Sequence, residues 1–309
     1  MSLGFVFPGQ GSQSIDMMNG LAQAYPQIQD TFAQASQVLG YDLWQIVKAG
    51  PEEKLNSTDV TQPAMLSAGV ATWRVWLAQG GATPAMMAGH SLGEYSALVC
   101  AGAIEFEDAV KLVAARGQYM QQAVPKGTGA MAAILGLEDT AVVAVCEEAA
   151  QNEIVQAVNF NSPGQVVVAG NKAAVERATE IAKQKGAKRA VILPVSVPSH
   201  CQLMKPAADR LAQDLRNIEI QTPKIKVINN VDVKSPDAAD AIRDALARQL
   251  YQPVRWVEVV QTMISAGTTS IVECGPGKVL VGLNKRIDKS VTHSAITDAD
   301  SLNACLGNP

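Results

Sequence analysis

The apolar positions of the chain alternate between short runs typical of strands and longer stretches with helical spacing. The first run, Leu3 to Phe7, predicts a strand that enters a glycine-containing turn. Amphipathic helices are predicted near Ile28 to Leu39 and Ala64 to Gln79, with a second strand near Ala85 to Ala88. Strands that alternate with helices in this way are typical of an α/β protein with a largely parallel sheet.

The segment from about Gly129 to Val195 has a different pattern, in which two helices and four short strands follow the order βαββαβ. The predicted elements are Ala130 to Leu135, Asp139 to Ala150, Ile154 to Asn159, Val166 to Ala169, Ala173 to Lys185 and Ala190 to Val195. This order is that of a ferredoxin-like unit. We therefore expect a small domain over residues 126–196, inserted into a larger domain formed by residues 1–125 and 197–309.

The larger domain is predicted to resume after the insertion with further helices and strands. The helices lie near Met204 to Arg216, Ala238 to Leu250 and Val254 to Ser265, and the strands near Lys226 to Ile228 and Ser270 to Glu273. The fold class is therefore α/β, with a parallel sheet in the large domain.

Composition and charge exclude several classes of function. With 25 basic and 29 acidic side chains the formal net charge is −4, so a nucleic-acid partner is not expected. No apolar run approaches the ~20 residues of a membrane span, and the N-terminus does not resemble a signal peptide, so we expect a cytoplasmic protein without a membrane partner. Five cysteines without a CxxC pair are expected to be buried free thiols: Cys100, Cys146, Cys201, Cys274 and Cys305.

A candidate nucleophile lies in the sequence Gly89-His90-Ser91-Leu92-Gly93, which fits the G-x-S-x-G pattern. A predicted strand precedes it and a predicted helix, Glu94 to Cys100, follows it. In this setting the glycines allow a sharp turn that exposes the serine hydroxyl and directs backbone N–H groups at developing negative charge. Ser91 is therefore the candidate nucleophile.

A serine nucleophile needs a base, and the chain has three histidines. His90 adjoins Ser91 on a tight turn and is expected to point away from it, while His293 lies in a polar stretch and is expected to be exposed. His200 remains as the candidate base, with an ordinary loop histidine as the alternative. No obvious buried acidic residue lies between Ser91 and His200, so we expect a backbone carbonyl to orient the imidazole.

One arginine lies among the apolar positions of a predicted helix, Phe106 to Gln122. Ala109, Val113 and Met120 form an apolar stripe, and Arg116 lies in the same stripe. A buried guanidinium needs partners, and its planar fork suits a carboxylate. Arg116 either forms an ion pair or extends its head to solvent, or it binds a substrate carboxylate.

Two further features carry weaker signals. Gly9-Gln10-Gly11 follows the first strand but lacks the remaining residues of a nucleotide-binding motif. A basic cluster on the small domain is either a solvated surface or a contact for an acidic protein partner; it consists of Lys183, Lys185, Lys188 and Arg189.

With these residues identified, the chain resembles the bacterial malonyl-CoA:acyl carrier protein transacylases, which load malonyl groups for type II fatty-acid synthesis. The resemblance spans nearly the whole length and includes the RG pair at Arg116. The other motifs are FVFPGQGSQ at 5–13, AGHSLGEYSALVCAG at 88–102, NFNSPGQVV at 159–167, PVSVPSHC at 194–201 and ECGPGKVL at 273–280.

The resemblance implies a role for each matching position. Ser91 matches the acylated serine, His200 the general base, and Arg116 the residue that binds the malonyl carboxylate. Gln10 and Leu92 match the residues whose N–H groups form the oxyanion hole, and Gln249 matches the residue whose main-chain carbonyl orients the histidine. The resemblance also implies an α/β-hydrolase-like large domain with the ferredoxin-like insertion.

The implied reaction is ping-pong transfer of malonyl from coenzyme A to the phosphopantetheine thiol of acyl carrier protein, through a malonyl-serine. The thioester supplies the activation, so no metal or other cofactor is expected. Two alternatives remain open, a serine (thio)esterase and a non-catalytic module that binds carrier proteins.

Overall fold

The computed structural model describes residues 2–195 and 197–307. Its strands are β1 Leu3–Phe7, β2 Met86–Gly89, β3 Gly129–Leu135, β4 Val155–Ser162, β5 Gln165–Asn171, β6 Arg189–Ile192, β7 Lys226–Ile228, β8 Ser270–Cys274 and β9 Thr292–Ile296. Its helices are α1 Asn19–Ala22, α2 Gln27–Leu39, α3 Leu43–Ala49, α4 Glu52–Leu55, α5 Thr58–Ala78, α6 Gly93–Cys100, α7 Phe106–Ala123, α8 Asp139–Ala150, α9 Lys172–Gln184, α10 Lys205–Arg216, α11 Ala239–Gln249, α12 Trp256–Ser265, α13 Val279–Ile287 and α14 Ala299–Leu306.

The larger sheet has five parallel strands in the order β7-β2-β1-β8-β9. Its central strand β1 is buried because Phe5 and Phe7 pack under helices, and Phe5 makes edge contacts with Trp73 and Trp76 of α5. Helix α5 is buried over most of its length, and several of its polar residues, such as Gln62 and Thr72, are buried along with the apolar ones.

The smaller sheet is antiparallel, in the order β4-β5-β3-β6, and the chain passes through it as βαββαβ. Helices α8 and α9 pack on it through a separate apolar core that includes Ile134, Val145, Val168 and Val175. The predicted α/β class with a parallel sheet and a ferredoxin-like unit is confirmed. The division at residues 126 and 196 stays a prediction, and residue 196 lies outside the described residues.

Several elements differ from the sequence-based expectation. Helix α5 begins at Thr58 rather than near Ala64. Proline commonly marks the start of a helix, which favours a start near Ala64, whereas Pro63 lies inside this helix. Strand β9 was not predicted because its sequence, Thr292 to Ile296, is only partly apolar and forms the edge of the sheet. Helices α13 and α14 at the same end of the chain were also missed.

Four of the five cysteines are buried, as expected from the sequence. Cys100, Cys146, Cys201 and Cys274 are buried free thiols as predicted, whereas Cys305 is only half-buried. In the described part of the chain, no helix combines the length and apolar character that a bilayer span requires.

The fold brings distant parts of the sequence to one edge of the parallel sheet. Strands β1, β2 and β7 are adjacent and parallel, so the residues that follow them lie at the same end. These are Gln10 after β1, Ser91 after β2 and Asn230 after β7. Ligands of parallel α/β sheets bind at the carboxyl ends of the strands, and the candidate residues lie there.

Candidate active site

The turn after β2 holds Ser91 in a left-handed backbone conformation, with φ 51°. The chain can turn this sharply because the flanking residues are glycines, and the turn leaves no room for a side chain at either position. A Cβ on Gly89 would lie 1.8 Å from the carbonyl carbon of Gly93, and one on Gly93 would lie 2.0 Å from the Phe7 oxygen. Helix α6 begins at Gly93, two residues after Ser91.

His200 lies against Ser91 although 109 residues separate them. The distance from Ser91 Oγ to His200 Nε2 is 2.8 Å, and His200 Nδ1 lies 2.6 Å from the carbonyl oxygen of Gln249 at the end of α11. Because a carbonyl only accepts, Nδ1 carries the proton and Nε2 is free to accept the hydrogen from Ser91. The structure thus brings together Ser91 and His200, which the sequence singles out, and the Gln249 carbonyl, which only the family resemblance implies.

Burial, together with the nearby charge of Arg116, lowers the pKa of the His200 imidazole to about 3, although the hydrogen bond to Gln249 opposes this shift. The side chain is only 4% exposed. A lowered pKa means that the neutral imidazole is the form present at physiological pH, as a general base requires.

The rate of Ser91 acylation is expected to change less than about threefold between pH 8 and pH 5, because a base with pKa about 3 stays neutral over this range. A histidine with the ordinary pKa would lose roughly 30-fold by pH 5. Single-turnover acylation rates across this range provide the measurement. A loss of tenfold or more with a midpoint near 6.5 would show that the imidazole is not held neutral.

Arg116 lies on the buried face of α7, together with the apolar residues of its stripe, and is 1% exposed. Its Nη1 donates to Gln62 Oε1 at 2.8 Å, and its Nη2 donates to Gln249 Oε1 at 3.0 Å and to Ser91 Oγ at 3.2 Å. Its Nε has no hydrogen-bond partner among the residues that the structure describes.

The partners of Arg116 decide between the alternatives that the sequence left open. No ion pair joins this guanidinium to a carboxylate among residues 2–195 and 197–307, and burial lowers its pKa. The ion-pair and solvent-exposed interpretations are therefore wrong. A buried positive charge that no carboxylate of the described residues contacts directly, and that points at the candidate nucleophile, is suited to bind an anionic group of a ligand.

Gln10 and Leu92 lie on the loops that follow β1 and β2, and Leu92 adjoins Ser91 in the chain. Leu92 is buried, and Gln10 is exposed, with its side-chain amide 3.4 Å from Thr58 Oγ1. Their backbone N–H groups donate to no acceptor within the described ranges. They are thus free to bind a developing oxyanion.

Comparison with known proteins identifies the family of this chain. The family model of the acyl transferase domain matches residues 4–300. The malonyl CoA-acyl carrier protein transacylase of Escherichia coli (strain K12) is 60% identical over 302 residues, 98% of each chain. The chain belongs to the malonyl-CoA:acyl carrier protein transacylase family.

Solved structures agree with this assignment. An acyl carrier protein S-malonyltransferase from Vibrio cholerae is similar with a TM-score of 0.96 and 60% identity, covering 98% of this chain and 99% of that one. A malonyl-transacylase in complex with its type II PKS acyl-carrier protein gives a TM-score of 0.99 at 57% identity, with both chains fully covered. The family predicted from the sequence is confirmed.

The other two histidines of this transacylase family member lie away from the reacting atoms. His90 Nε2 is 2.8 Å from Asn161 Oδ1 on β4, and its ring packs against Trp256. His293 was expected to be exposed, which is wrong. It is 8% exposed on β9, and its Nε2 lies 2.8 Å from the Asp288 carbonyl.

Sequence reasoning missed a buried acidic residue, Glu94, in the first turn of α6. It is 2% exposed, and burial raises its pKa to about 7. The expectation that no buried acid lies between Ser91 and His200 is therefore wrong. Glu94 forms no hydrogen bond with His200 in the described structure; its Oε2 accepts from the Asn230 backbone N–H and from Gln249 Nε2. The available signal was a single charge in the otherwise uncharged helix from Gly93 to Cys100.

Asn230 is the second residue that sequence reasoning missed. Its Oδ1 accepts a hydrogen bond from the Ser91 backbone N–H at 2.7 Å, and its Nδ2 donates to the Gly89 carbonyl at 2.7 Å. Asn230 therefore holds both sides of the serine turn. No local pattern could reveal this contact, because 139 residues separate Asn230 from Ser91.

The basic cluster on the small sheet is partly neutralised. Lys183 pairs with Glu180 and Lys185 with Glu148, each at 2.7 Å and at exposed positions. Exposed pairs of this kind contribute little to stability. Two of the four charges are therefore already compensated at the surface.

Proposed function

We propose that this protein transfers a malonyl group from coenzyme A to the phosphopantetheine thiol of acyl carrier protein, in fatty-acid biosynthesis. The observation that carries the proposal is the buried Arg116, whose Nη2 lies 3.2 Å from Ser91 Oγ and which has no carboxylate partner in the described chain. A substrate acyl group with a free carboxylate supplies the missing counter-ion. Malonyl carries such a carboxylate and acetyl does not.

In the first half-reaction, His200 Nε2 takes the proton of Ser91 while Oγ attacks the thioester carbonyl of malonyl-CoA. The N–H groups of Gln10 and Leu92 stabilise the tetrahedral oxyanion. When the carbon–sulfur bond breaks, the proton on His200 passes to the departing sulfur. The products are free coenzyme A and malonyl-Ser91.

The second half-reaction reverses these steps with a different thiol. His200 Nε2 takes the proton of the phosphopantetheine thiol, whose sulfur attacks the ester carbonyl of malonyl-Ser91. The carbon–oxygen bond breaks, and the proton returns to Ser91 Oγ. Each half-reaction exchanges one acyl bond for another, so the steps balance without an added co-reactant.

The division into a large domain, residues 1–125 and 197–309, and a small domain, residues 126–196, belongs to the same proposal. Its support is the separate apolar core that α8 and α9 form with the smaller sheet. The two parts meet through hydrogen bonds near the serine. His90 bonds Asn161 on β4, and the Phe160 backbone N–H donates to the Val254 carbonyl. We also infer a cytoplasmic location, from the family's coenzyme A and carrier-protein substrates.

A serine (thio)esterase has the same nucleophile and base, so product analysis must separate the two activities. We expect malonyl-CoA, carrier protein and enzyme to give malonyl carrier protein, with less than about a tenth of the malonyl appearing as free malonate. Carrier protein that lacks the phosphopantetheine arm is the control and should receive none. Free malonate as the main product would contradict the transferase proposal in favour of a thioesterase.

A further inference from the structure

A buried carboxyl group beside the site has no part in the transfer steps described above. Glu94 Oε2 accepts from the Asn230 backbone N–H at 2.9 Å and from Gln249 Nε2 at 2.8 Å. Both donors belong to residues that contact Ser91. The carboxyl group is therefore connected to Ser91 through one intervening residue, either Asn230 or Gln249.

The Gln249 side chain connects Glu94 to Arg116. Its Nε2 donates to Glu94 Oε2 and, at 3.1 Å, to the Ser91 carbonyl oxygen, while its Oε1 accepts from Arg116 Nη2 at 3.0 Å. A reversed amide would set its oxygen against two other oxygens and its NH₂ group against the guanidinium. Glu94 thus favours the one amide orientation that presents an oxygen to Arg116.

We propose that Glu94 is a positioning residue for malonyl specificity: by fixing the Gln249 side-chain amide, it holds the Arg116 guanidinium in the orientation that faces Ser91. This inference rests on the proposed function, because it assigns Glu94 a role in the carboxylate clamp. The backbone carbonyl of Gln249, which orients His200, is a separate atom and does not depend on the direction of the amide.

The separation of these two roles of Gln249 gives the proposal a specific consequence. Loss of the acceptor at position 94 removes the shortest hydrogen bond of the Gln249 amide and leaves the longer ones, to the Ser91 carbonyl at 3.1 Å and to Asn230 Oδ1 at 3.4 Å. The Gln249 oxygen that orients Arg116 Nη2 is then held less firmly. A malonyl donor needs the aligned guanidinium, whereas an acetyl donor has no carboxylate for Arg116 to bind. A misaligned Arg116 guanidinium therefore slows acylation by malonyl-CoA more than acylation by acetyl-CoA.

Glu94→Met removes the acceptor while keeping an unbranched side chain of similar size. We expect the ratio of kcat/KM for malonyl-CoA to that for acetyl-CoA, measured as acylation of Ser91, to fall about tenfold or more, mainly through a higher KM for malonyl-CoA. Glu94→Gln retains an oxygen that can accept both hydrogen bonds, so the ratio should stay within about threefold of the unsubstituted protein.

Glu273 provides a matched control. It is also fully buried, and its carboxylate accepts from the Leu280 and Val281 backbone N–H groups at 3.1 and 2.8 Å. These hydrogen bonds hold the start of α13 and do not involve Gln249 or Arg116. Glu273→Met should lower the midpoint of thermal unfolding, because it removes two buried hydrogen bonds. It should leave the malonyl-to-acetyl ratio of kcat/KM unchanged.

An unchanged ratio in Glu94→Met, or an equal fall in Glu273→Met, would overturn the proposal in favour of a purely structural role. Should Glu94→Met fail to fold, Glu94→Ala removes the same acceptor with less bulk, leaves Gln249 in place and must produce the same fall. Adding Glu94→Met to Arg116→Ala must lower the ratio no further, because the clamp is already absent. If Arg116→Ala leaves the ratio unchanged, Arg116 does not bind the malonyl carboxylate and the proposed function loses its main support. If Arg116→Ala lowers the ratio and Glu94→Met does not, only the role of Glu94 is overturned.

Discussion

Ser91→Ala is expected to lower the rate of malonyl transfer by about four orders of magnitude or more and to abolish the acyl-enzyme. The substitution removes the oxygen that attacks the thioester, and residues that act as one catalytic unit lose most of their effect when a single member is removed. The measurement is the rate of malonyl carrier protein formation under saturating donor, with folding checked by circular dichroism.

Ser96→Ala is the matched control for this substitution. Ser96 lies on the same helix that follows the turn, it is 1% exposed, and its hydroxyl has no hydrogen-bond partner in the described structure. Its removal should leave the transfer rate within about twofold, since a hydroxyl without a partner contributes no interaction to lose. If Ser91→Ala retained more than about a hundredth of the activity, Ser91 would not be the nucleophile.

Arg116→Ala should remove the preference for malonyl-CoA over acetyl-CoA. The guanidinium can form two charge-assisted hydrogen bonds to a carboxylate in a buried site, and their loss costs about 3–4 kcal/mol. Malonyl acylation should therefore slow by about 10²- to 10³-fold. Acetyl acylation should change less than about tenfold, because acetyl has no carboxylate to lose a partner. Parallel rates of Ser91 acylation with the two donors measure the ratio.

Arg74→Ala is the control for the removal of an arginine from the large core. Arg74 Nη1 donates to Thr31 Oγ1 and Gln34 Oε1, both at 2.9 Å, and its guanidinium lies over the Phe106 ring. These contacts are structural and lie outside the site, so the donor preference should be retained. An unchanged preference in Arg116→Ala would contradict the clamp.

The residues that the structure brings together include three that the sequence singles out on physical grounds. Ser91 lies between glycines at a strand–helix turn, His200 is the one histidine left after the others are set aside, and Arg116 is a charge in an apolar stripe. The signals at Ser91 and Arg116 are local and need no knowledge of the fold. His200 was reached by elimination, and one step of that elimination, the expected exposure of His293, is wrong. The proximity of the three residues, with Ser91 Oγ 2.8 Å from His200 and 3.2 Å from Arg116, is what the fold adds.

The rest of the site depends on contacts between distant segments, which local patterns do not contain. Gln249 was identified through the family resemblance alone, and its side-chain link between Glu94 and Arg116 emerges only from the packed structure. Asn230 reaches Ser91 because β7 and β2 are neighbours in the sheet. The burial of His293 was missed for the same reason, since it follows from an edge strand with a weak pattern.

The most direct test of the central claim is the intact mass of the protein after brief exposure to malonyl-CoA and, separately, to acetyl-CoA, followed by carrier protein bearing its phosphopantetheine arm. The account predicts a malonyl adduct that maps to Ser91, forms far faster than an acetyl adduct, and moves to the carrier thiol. Equal loading by both donors, an adduct released only into water, or no adduct at all would contradict it.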